Sequence, residues 1–298
     1  MGDQVLRYED LARKRSDLKR TLDRVVPVVL SLGVFLGVTV LAALLFDVVT
    51  TGYDRLNLNL ITEYPSANPS EAGMRSALLG TVVTVGLSAL ICIPLSIASA
   101  IYLVEYAGGR RWAEVLRYNI ANLAGVPSVV FGIVGLGFLV YGLGLGRSVI
   151  AGAFTLAILT LPYVTVTCVE AIKTVPEDLK FGAYALGATR LQVVRSIILP
   201  RALPMMLTGG ILGISRAIGE AAPILIISGL LFIREDPVSL FSRFTVIPLQ
   251  LFNWISRPLP AFQELSAAAI IVLLLILLAL NSVAIYLRYR LYRRLEAA

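Results

Sequence analysis

The sequence contains no histidine, and this absence removes the commonest metal ligand and the usual general base near neutral pH. Ser-His-Asp triads and His-Glu-x-x-His zinc sites are therefore excluded. The two cysteines, Cys92 and Cys168, both lie in apolar stretches, so we expect small packing residues rather than a disulfide or a metal centre. None of the four lysines follows a glycine, so the Walker A loop that holds ATP phosphates is missing. We predict no catalytic residue, no metal site and no cofactor bound by this chain.

Charge is also scarce. Only 15% of the residues are charged, whereas a soluble domain has about 25%. Apolar residues make up 57% of the chain, and the mean hydropathy is +0.83. A hydrocarbon core about 30 Å thick is crossed by roughly 20 helical residues. We predict an all-α, polytopic membrane protein with six transmembrane helices, in the windows 25–46, 76–104, 118–146, 148–169, 202–233 and 265–287.

The distribution of lysine and arginine predicts the orientation in the membrane. With the N-terminus inside, the interior segments hold 19 of these residues and the exterior segments hold six. This bias follows the positive-inside rule, and it favours a cytoplasmic membrane face over a nucleic-acid partner. We therefore expect both termini in the cytoplasm, with a tail at 1–24, a first transmembrane helix at 25–49 and a second tail at 288–298.

The third window contains a predicted helix break. Pro127 follows Ala-Gly-Val, and proline disfavours helical geometry in the residue before it. Upstream of the break, apolar residues recur at helical spacing beside arginines, which is typical of a short helix along the inner membrane interface. The third span would then be 127–146. A single helix with a proline kink is the alternative.

Two exterior segments differ in composition. The segment 50–75 contains prolines and several asparagines, so we expect a polar loop. The segment 234–264 contains four prolines and five aromatic residues, and aromatic rings favour the membrane–water boundary. An interfacial helix, an external gate and a contact with a substrate-delivering protein are all open. The five rings belong to Phe241, Phe244, Phe252, Trp254 and Phe262.

The cytoplasmic loop 171–204 is long for a connector and unusually apolar. Pro176, followed by two acids, favours a helix start, and Gly187 favours its end in a left-handed turn. Thr189 is placed to cap a second helix, which we expect Pro200 to end. The product is a helix–turn–helix that projects an apolar and basic surface into the cytoplasm. We predict that it docks a cytoplasmic partner.

This loop resembles the cytoplasmic motif of ABC importer permeases of the MetI-like class, which reads Glu-Ala-Ala-x3-Gly-x9-Ile-x-Leu-Pro. Nine residues separate Gly187 from Ile197, and Leu199-Pro200 follow at the family's spacing. The triplet upstream of Gly187 differs from the family motif, because Phe181-Gly182-Ala183 replaces Glu-Ala-Ala. The resemblance implies that the loop couples the chain to an ATPase subunit. The implied coupling residues are Ala183, Gly187, Ala188, Ile197, Leu199 and Pro200.

More of the chain resembles the PstA-type permeases of phosphate importers. The resemblance implies a MetI-like five-helix permease core at 76–287, which supplies half of a translocation path for inorganic phosphate in the inner membrane of a prokaryote. It also implies a homologous second permease of the PstC type, a dimeric ATPase of the PstB type that binds ATP-Mg, an extracytoplasmic phosphate-binding protein of the PstS type, and membrane lipid as partners. The resembling stretches are 78–81, 94–96, 124–132, 185–190, 215–223 and 247–257.

Two charges interrupt the fifth window. Arg216 and Glu220 are four residues apart and so share one helix face, and a lone arginine at the bilayer centre costs about 2.5–3.5 kcal/mol on insertion scales. One interpretation is an internal ion pair that only fixes helix rotation. The other places Arg216 on the substrate path, where its planar donors suit a tetrahedral oxyanion and Glu220 limits the affinity. The PstA resemblance favours the second.

Ser128 is a further candidate for the substrate path. It follows Pro127 at the predicted start of the third span. The N–H groups at a helix N-terminus attract anions, and broken helices in transporters use them in this way. A simple break at the membrane interface predicts the same residues, so both interpretations are open.

Two alternative functions also remain open. One retains the permease but changes the cargo to another oxyanion, such as molybdate or sulfate. The other is a self-sufficient channel or ion-coupled carrier, in which Arg216 and Glu220 form a gate or a relay. The second alternative predicts transport by the purified chain alone, and it leaves the spacing from Gly187 to Pro200 unexplained.

Overall fold

A computed structural model describes residues 2–229 and 232–296. Three predicted segments extend beyond the described residues: the tail 1–24 at residue 1, the fifth window at residues 230–231, and the tail 288–298 at residues 297–298. The described residues form helices and turns and no strand, so the all-α prediction is confirmed. The helices are α1 (Gly2–Gly52), α2 (Leu58–Thr62), α3 (Arg75–Ile101), α4 (Arg111–Leu123), α5 (Ser128–Val134), α6 (Val149–Lys173), α7 (Glu177–Ala185), α8 (Arg190–Val193), α9 (Leu199–Gly219), α10 (Ala222–Ser228), α11 (Ile247–Ile255) and α12 (Pro260–Glu296).

The chain divides into two compact units, one ending at Thr51 and the other beginning at Gly52. The described part of the first unit lies in the long helix α1, so residues 2–24 of the predicted tail form the first part of that helix. The second unit contains α2 to α12.

Six candidate spans lie in the described part of the chain, when one bent pair of helices is counted as a single span. This number agrees with the six predicted windows. The bent pair is Arg111–Leu123 with Ser128–Gly142, and the angle between its two helices is 103°. The five unbroken segments are Asp23–Arg55, Arg75–Tyr106, Val149–Lys173, Arg190–Gly219 and Pro260–Leu291.

The bent pair confirms the predicted break in the third window. Pro127 precedes α5 with φ −54° and ψ 134°, which is not helical geometry. α4 is therefore a separate amphipathic helix, and its Arg117 donates a hydrogen bond from Nη2 to the Leu103 carbonyl at 3.3 Å. A π-helical segment, Gly135–Gly142, continues α5. The third span ends at Gly142, four residues before the predicted end.

The core of the second unit forms around α6. This helix packs between α3 and α9, and α12 packs on α9. Ser148 caps α6, because its side chain accepts a hydrogen bond from the Ala151 N–H. Cys92 and Cys168 are free and buried in the core, which confirms that they act as packing residues.

The segment 234–264, for which an exterior position is predicted, folds onto the ends of the spans. The Ile247 N–H, at the start of α11, donates to Thr81 Oγ1 at 2.9 Å, and Ser76 Oγ donates to the Ile233 carbonyl at 2.9 Å. Three of the aromatic side chains in this segment are fully buried, so they pack within the protein rather than at the membrane boundary. They are Phe244, Trp254 and Phe262.

The segment 50–75, for which an exterior polar loop is predicted, contains more regular structure than a loop. It contains α2, where the Asn57 side chain accepts a hydrogen bond from the Leu60 N–H at 3.0 Å, and Leu60 is buried. At its end, Arg75 forms an ion pair with Asp236 at 2.7 Å. The hydrogen bond from Arg75 holds the pKa of the Asp236 carboxyl below its ordinary value. This ion pair thus joins the segment 50–75 to the segment 234–264.

Candidate functional site

The fifth span breaks at the charged pair. α9 ends at Gly219, Glu220 has an extended backbone (φ −79°, ψ 108°), and α10 begins at Ala222. The prediction of one helix through 202–233 is wrong, because the ring of Pro223 would clash with the Gly219 carbonyl in a continuing helix. In the first turn of α10 the same proline is tolerated, since its missing N–H has no helical partner there.

Arg216 and Glu220 are brought together at this break. Arg216 Nε lies 3.4 Å from Glu220 Oε1, and the side chains are 47% and 16% exposed. This distance is longer than the 2.7–2.9 Å or so of a strong charged hydrogen bond. Arg216 lies in the last turn of α9, where a positive charge complements the helix dipole. Nearly half of the guanidinium side chain is therefore available to another partner.

A polar contact that the sequence did not reveal lies beside Arg216. Ser215 Oγ is 3.0 Å from Asn281 Oδ1, and this contact joins α9 to α12. Both side chains are partly buried. It fixes the rotation of α9 next to the charged pair.

Ser128 is connected to the charged pair through packing. It is the first residue of α5, and α5 packs on α10. The approach is close at Gly132, where a Cβ atom would lie 2.7 Å from Pro223 Cα. The structure thus packs α5, the helix that Ser128 begins, on the helix that follows Glu220.

The helix–turn–helix predicted for the loop 171–204 is confirmed in its geometry. α7 follows Pro176 and ends before Gly187, which has φ +83° and so the left-handed conformation that glycine adopts readily. Thr189 and Gln192 form a capping box at the start of α8. We call residues 177–193 the knob.

Pro200 does not end the second helix as predicted. Residues Arg190–Gly219 form one continuous helical segment, with a π-helical turn at Val194–Ile198 immediately before the proline. An α-helix would bring the Pro200 ring against the Ser196 carbonyl. A wider turn relieves such a clash. The knob is therefore continuous with the helix that carries Arg216.

The predicted coupling residues mostly face the core. Ala183, Ala188, Ile197 and Leu199 are half-buried against it, whereas Gly187 and Pro200 are exposed. Large apolar side chains that sequence reasoning did not single out are exposed on the knob, and exposed apolar patches mark interaction sites. They are Phe181 at 63%, Leu191 at 66% and Leu186 at 90% exposed.

Residues 92–297 match the model of a family described as binding-protein-dependent transport system inner membrane component. The probable ABC transporter permease protein YqgI of Bacillus subtilis is 29% identical over 270 residues, or 87% of this chain and 92% of the relative. The phosphate transport system permease protein PstA of Yersinia pestis is 32% identical over 278 residues, or 91% and 92%.

Solved structures have a similar fold. A chain of the inward-facing MetNI methionine ABC transporter aligns with a TM-score of 0.55 and 14% identity, over 70% of this chain and 93% of that chain. A chain of an amino acid ABC transporter aligns with a TM-score of 0.55 and 18% identity, over 72% and 92%. The family match spans more than half of the chain. The chain therefore belongs to the binding-protein-dependent transport system inner membrane components, and it is a multi-pass permease of the ABC transporter class.

Proposed function

We propose that this permease belongs to an ATP-driven importer of inorganic phosphate and forms half of its translocation path. Relatives named phosphate transport system permease protein PstA, from Yersinia pestis, Haemophilus influenzae and Mycobacterium tuberculosis, support the cargo at 30–32% identity. The observation that carries the proposal is Arg216, a half-exposed guanidinium beside Glu220 at the break of the fifth span.

The pair suits transient binding of an oxyanion. A guanidinium donates two parallel hydrogen bonds to phosphate oxygens. Without a carboxylate nearby, Arg216 would be an unpaired charge in the membrane whenever phosphate is absent. Glu220, at 3.4 Å, compensates this charge through a long contact that phosphate can replace. The same carboxylate disfavours tight retention of the anion, which allows its release.

The energy for transport comes from a separate ATPase. This chain lacks a Walker A loop, so ATP-Mg is bound and hydrolysed by a dimeric ATPase subunit, and the permease itself is not an enzyme. The exposed apolar side chains of the knob form the docking surface for that subunit. At 1.5 Å per residue, the helix from Leu191 to Arg216 is about 38 Å long. Movement of the knob therefore reaches the charged pair through one helix.

The remaining partners complete the path. A homologous second permease supplies the other half, and an extracytoplasmic phosphate-binding protein delivers the ion. The excess of lysine and arginine in the interior segments supports a prokaryotic inner-membrane orientation with both termini in the cytoplasm.

Phosphate uptake by the complete transporter in proteoliposomes tests the role of the pair. Loss of a charge-assisted hydrogen bond, worth about 1.5–3 kcal/mol, is expected to slow uptake by about 10- to 100-fold in Arg216→Lys and in Glu220→Gln. Arg243→Lys, at an exposed exterior arginine, is the matched control and keeps wild-type uptake. Wild-type rates in both pair variants would leave Arg216 and Glu220 with a packing role only.

Two further measurements test the cargo and the motor. Excess sulfate or molybdate should not compete with phosphate, and stronger competition by either would reassign the cargo. The purified chain alone should not transport phosphate, and uptake without the ATPase would favour a channel or an ion-coupled carrier.

A further inference from the structure

A mostly buried ion pair joins the knob to the cytoplasmic end of the second span. Lys180 Nζ, on α7, lies 2.8 Å from Glu105 Oε1. Glu105 belongs to the π-helical turn Tyr102–Tyr106, which ends the second span. The two side chains are 14% and 10% exposed, less than in any other ion pair found among the described residues.

Glu105 contacts both helices of the knob. Its carboxylate binds Lys180 of α7, and its backbone carbonyl accepts a hydrogen bond from Arg190 Nη1, at the start of α8, at 3.5 Å. The rest of this contact is apolar, since Ala183 and Tyr184 pack on the same core cluster as Val104. Apolar contacts are not directional, whereas a buried ion pair requires both partners in place.

The second span connects this contact to the exterior surface. Its helical segment runs from Arg75 to Tyr106. At the exterior end, Thr81 accepts the hydrogen bond from Ile247, and Arg75 pairs with Asp236. One helix therefore holds the knob at one end and the exterior segment 234–264 at the other.

We propose that Glu105 and Lys180 are positioning residues that make the second span move with the knob. The proposal rests on the proposed function, in which an ATPase displaces the knob. The fifth span follows the knob because it is continuous with α8. The second span is a different part of the chain. Its apolar packing on the other helices allows it to slide against the knob, and the ion pair of Glu105 with Lys180 fixes it to the knob. ATP-driven displacement then reaches the exterior segment through α3.

The ratio of phosphate transported to ATP hydrolysed tests this link in the complete transporter. In Glu105→Gln and Lys180→Gln we expect the ATPase to stay bound and active, while the ratio falls by about tenfold, because one partner of a buried pair is lost. The double exchange Glu105→Lys with Lys180→Glu should restore much of the ratio. Lys173→Gln breaks the exposed pair with Glu170 and should leave the ratio unchanged. An unchanged ratio in both single variants, a parallel fall of uptake and hydrolysis, or no rescue by the exchange would overturn the link.

A distance measurement separates this proposal from the identity of the cargo. Spin labels at the exposed positions Val82, on α3, and Phe138, in the third span, should report an ATP-dependent change in distance, because only α3 is held to the knob by the ion pair, and Glu105→Gln should abolish this change. Such a change in a transporter that does not import phosphate would refute the cargo and retain the link. A change that persists in Glu105→Gln, or its absence in the wild type, would refute the link.

Discussion

A single methyl group at Gly132 tests whether the contact between α5 and α10 sets the geometry of the charged pair. A Cβ atom there would lie 2.7 Å from Pro223 Cα and 3.1 Å from the Pro223 carbonyl oxygen. Both are backbone atoms, so no side-chain rotation can relieve the contact, and the two helices must separate. Overpacking of this kind costs about 1–3 kcal/mol.

The consequence for transport follows from that energy. A cost of about 1–3 kcal/mol against the packed arrangement lowers its population by roughly 5- to 150-fold, and α10 starts two residues after Glu220. We expect phosphate uptake by Gly132→Ala to fall by a factor in this range in proteoliposomes, with the amount of assembled transporter measured in parallel.

Gly137→Ala is the matched control. It lies in the same span, and a Cβ atom there would meet nothing within 4 Å, so we expect uptake within about twofold of wild type. Equal uptake by the two alanine variants would refute the argument that close backbone packing at Gly132 positions the site.

Three further predictions concern the knob, the core and the exterior. Leu186→Asp puts a charge on a side chain that is 90% exposed, so copurification of the ATPase subunit should be lost while the permease keeps its thermal stability; undiminished copurification would exclude Leu186 from the docking surface. Trp254→Ala removes a fully buried ring and should destabilise the protein by about 3–5 kcal/mol, whereas Phe252→Ala, at a ring that is 47% exposed, should not; equal thermal shifts would contradict the packing of α11. Asp236 has a lowered pKa in the folded protein. Its ion pair with Arg75 therefore stabilises the contact between the segments 50–75 and 234–264 above the unfolded pKa of about 3.9, and this stabilisation is lost as the pH falls below that value. Asp236→Asn should abolish this acid-dependent part of the stability, and an unchanged profile would contradict it.

Local chemistry predicted the parts of the fold that depend on neighbouring residues. Pro127 restricts the residue before it, and Gly187 and Thr189 each have a preferred place at a helix end. The structure has a helix break or a turn at all three. The length of the apolar windows likewise predicted the number of candidate spans, because a bilayer of fixed thickness requires about 20 apolar helical residues for each crossing.

Contacts between distant parts of the chain were beyond such reasoning. Glu105 and Lys180 are 75 residues apart, and nothing in either segment specifies the other. Pro200 was expected to end a helix, but tertiary packing maintains the segment through a π-turn. The fifth window was expected to hold one helix, but α9 ends at Gly219, before Pro223. Proline marks a departure from regular helix geometry, and the packing around it decides the form of that departure.

The number of residues in the π-turn at Val194–Ile198 sets the rotation of the knob about the axis of the helix that follows. Such a turn holds about one residue more than an α-turn, and each residue of an α-helix corresponds to roughly 100° of rotation. Deleting one residue here would swing the docking surface through that angle about the helix axis, away from its present alignment with the guanidinium deeper in the membrane. Homologous permeases should therefore vary very little in the number of residues in this turn, and more freely in the identity of its two exposed residues, Arg195 and Ser196.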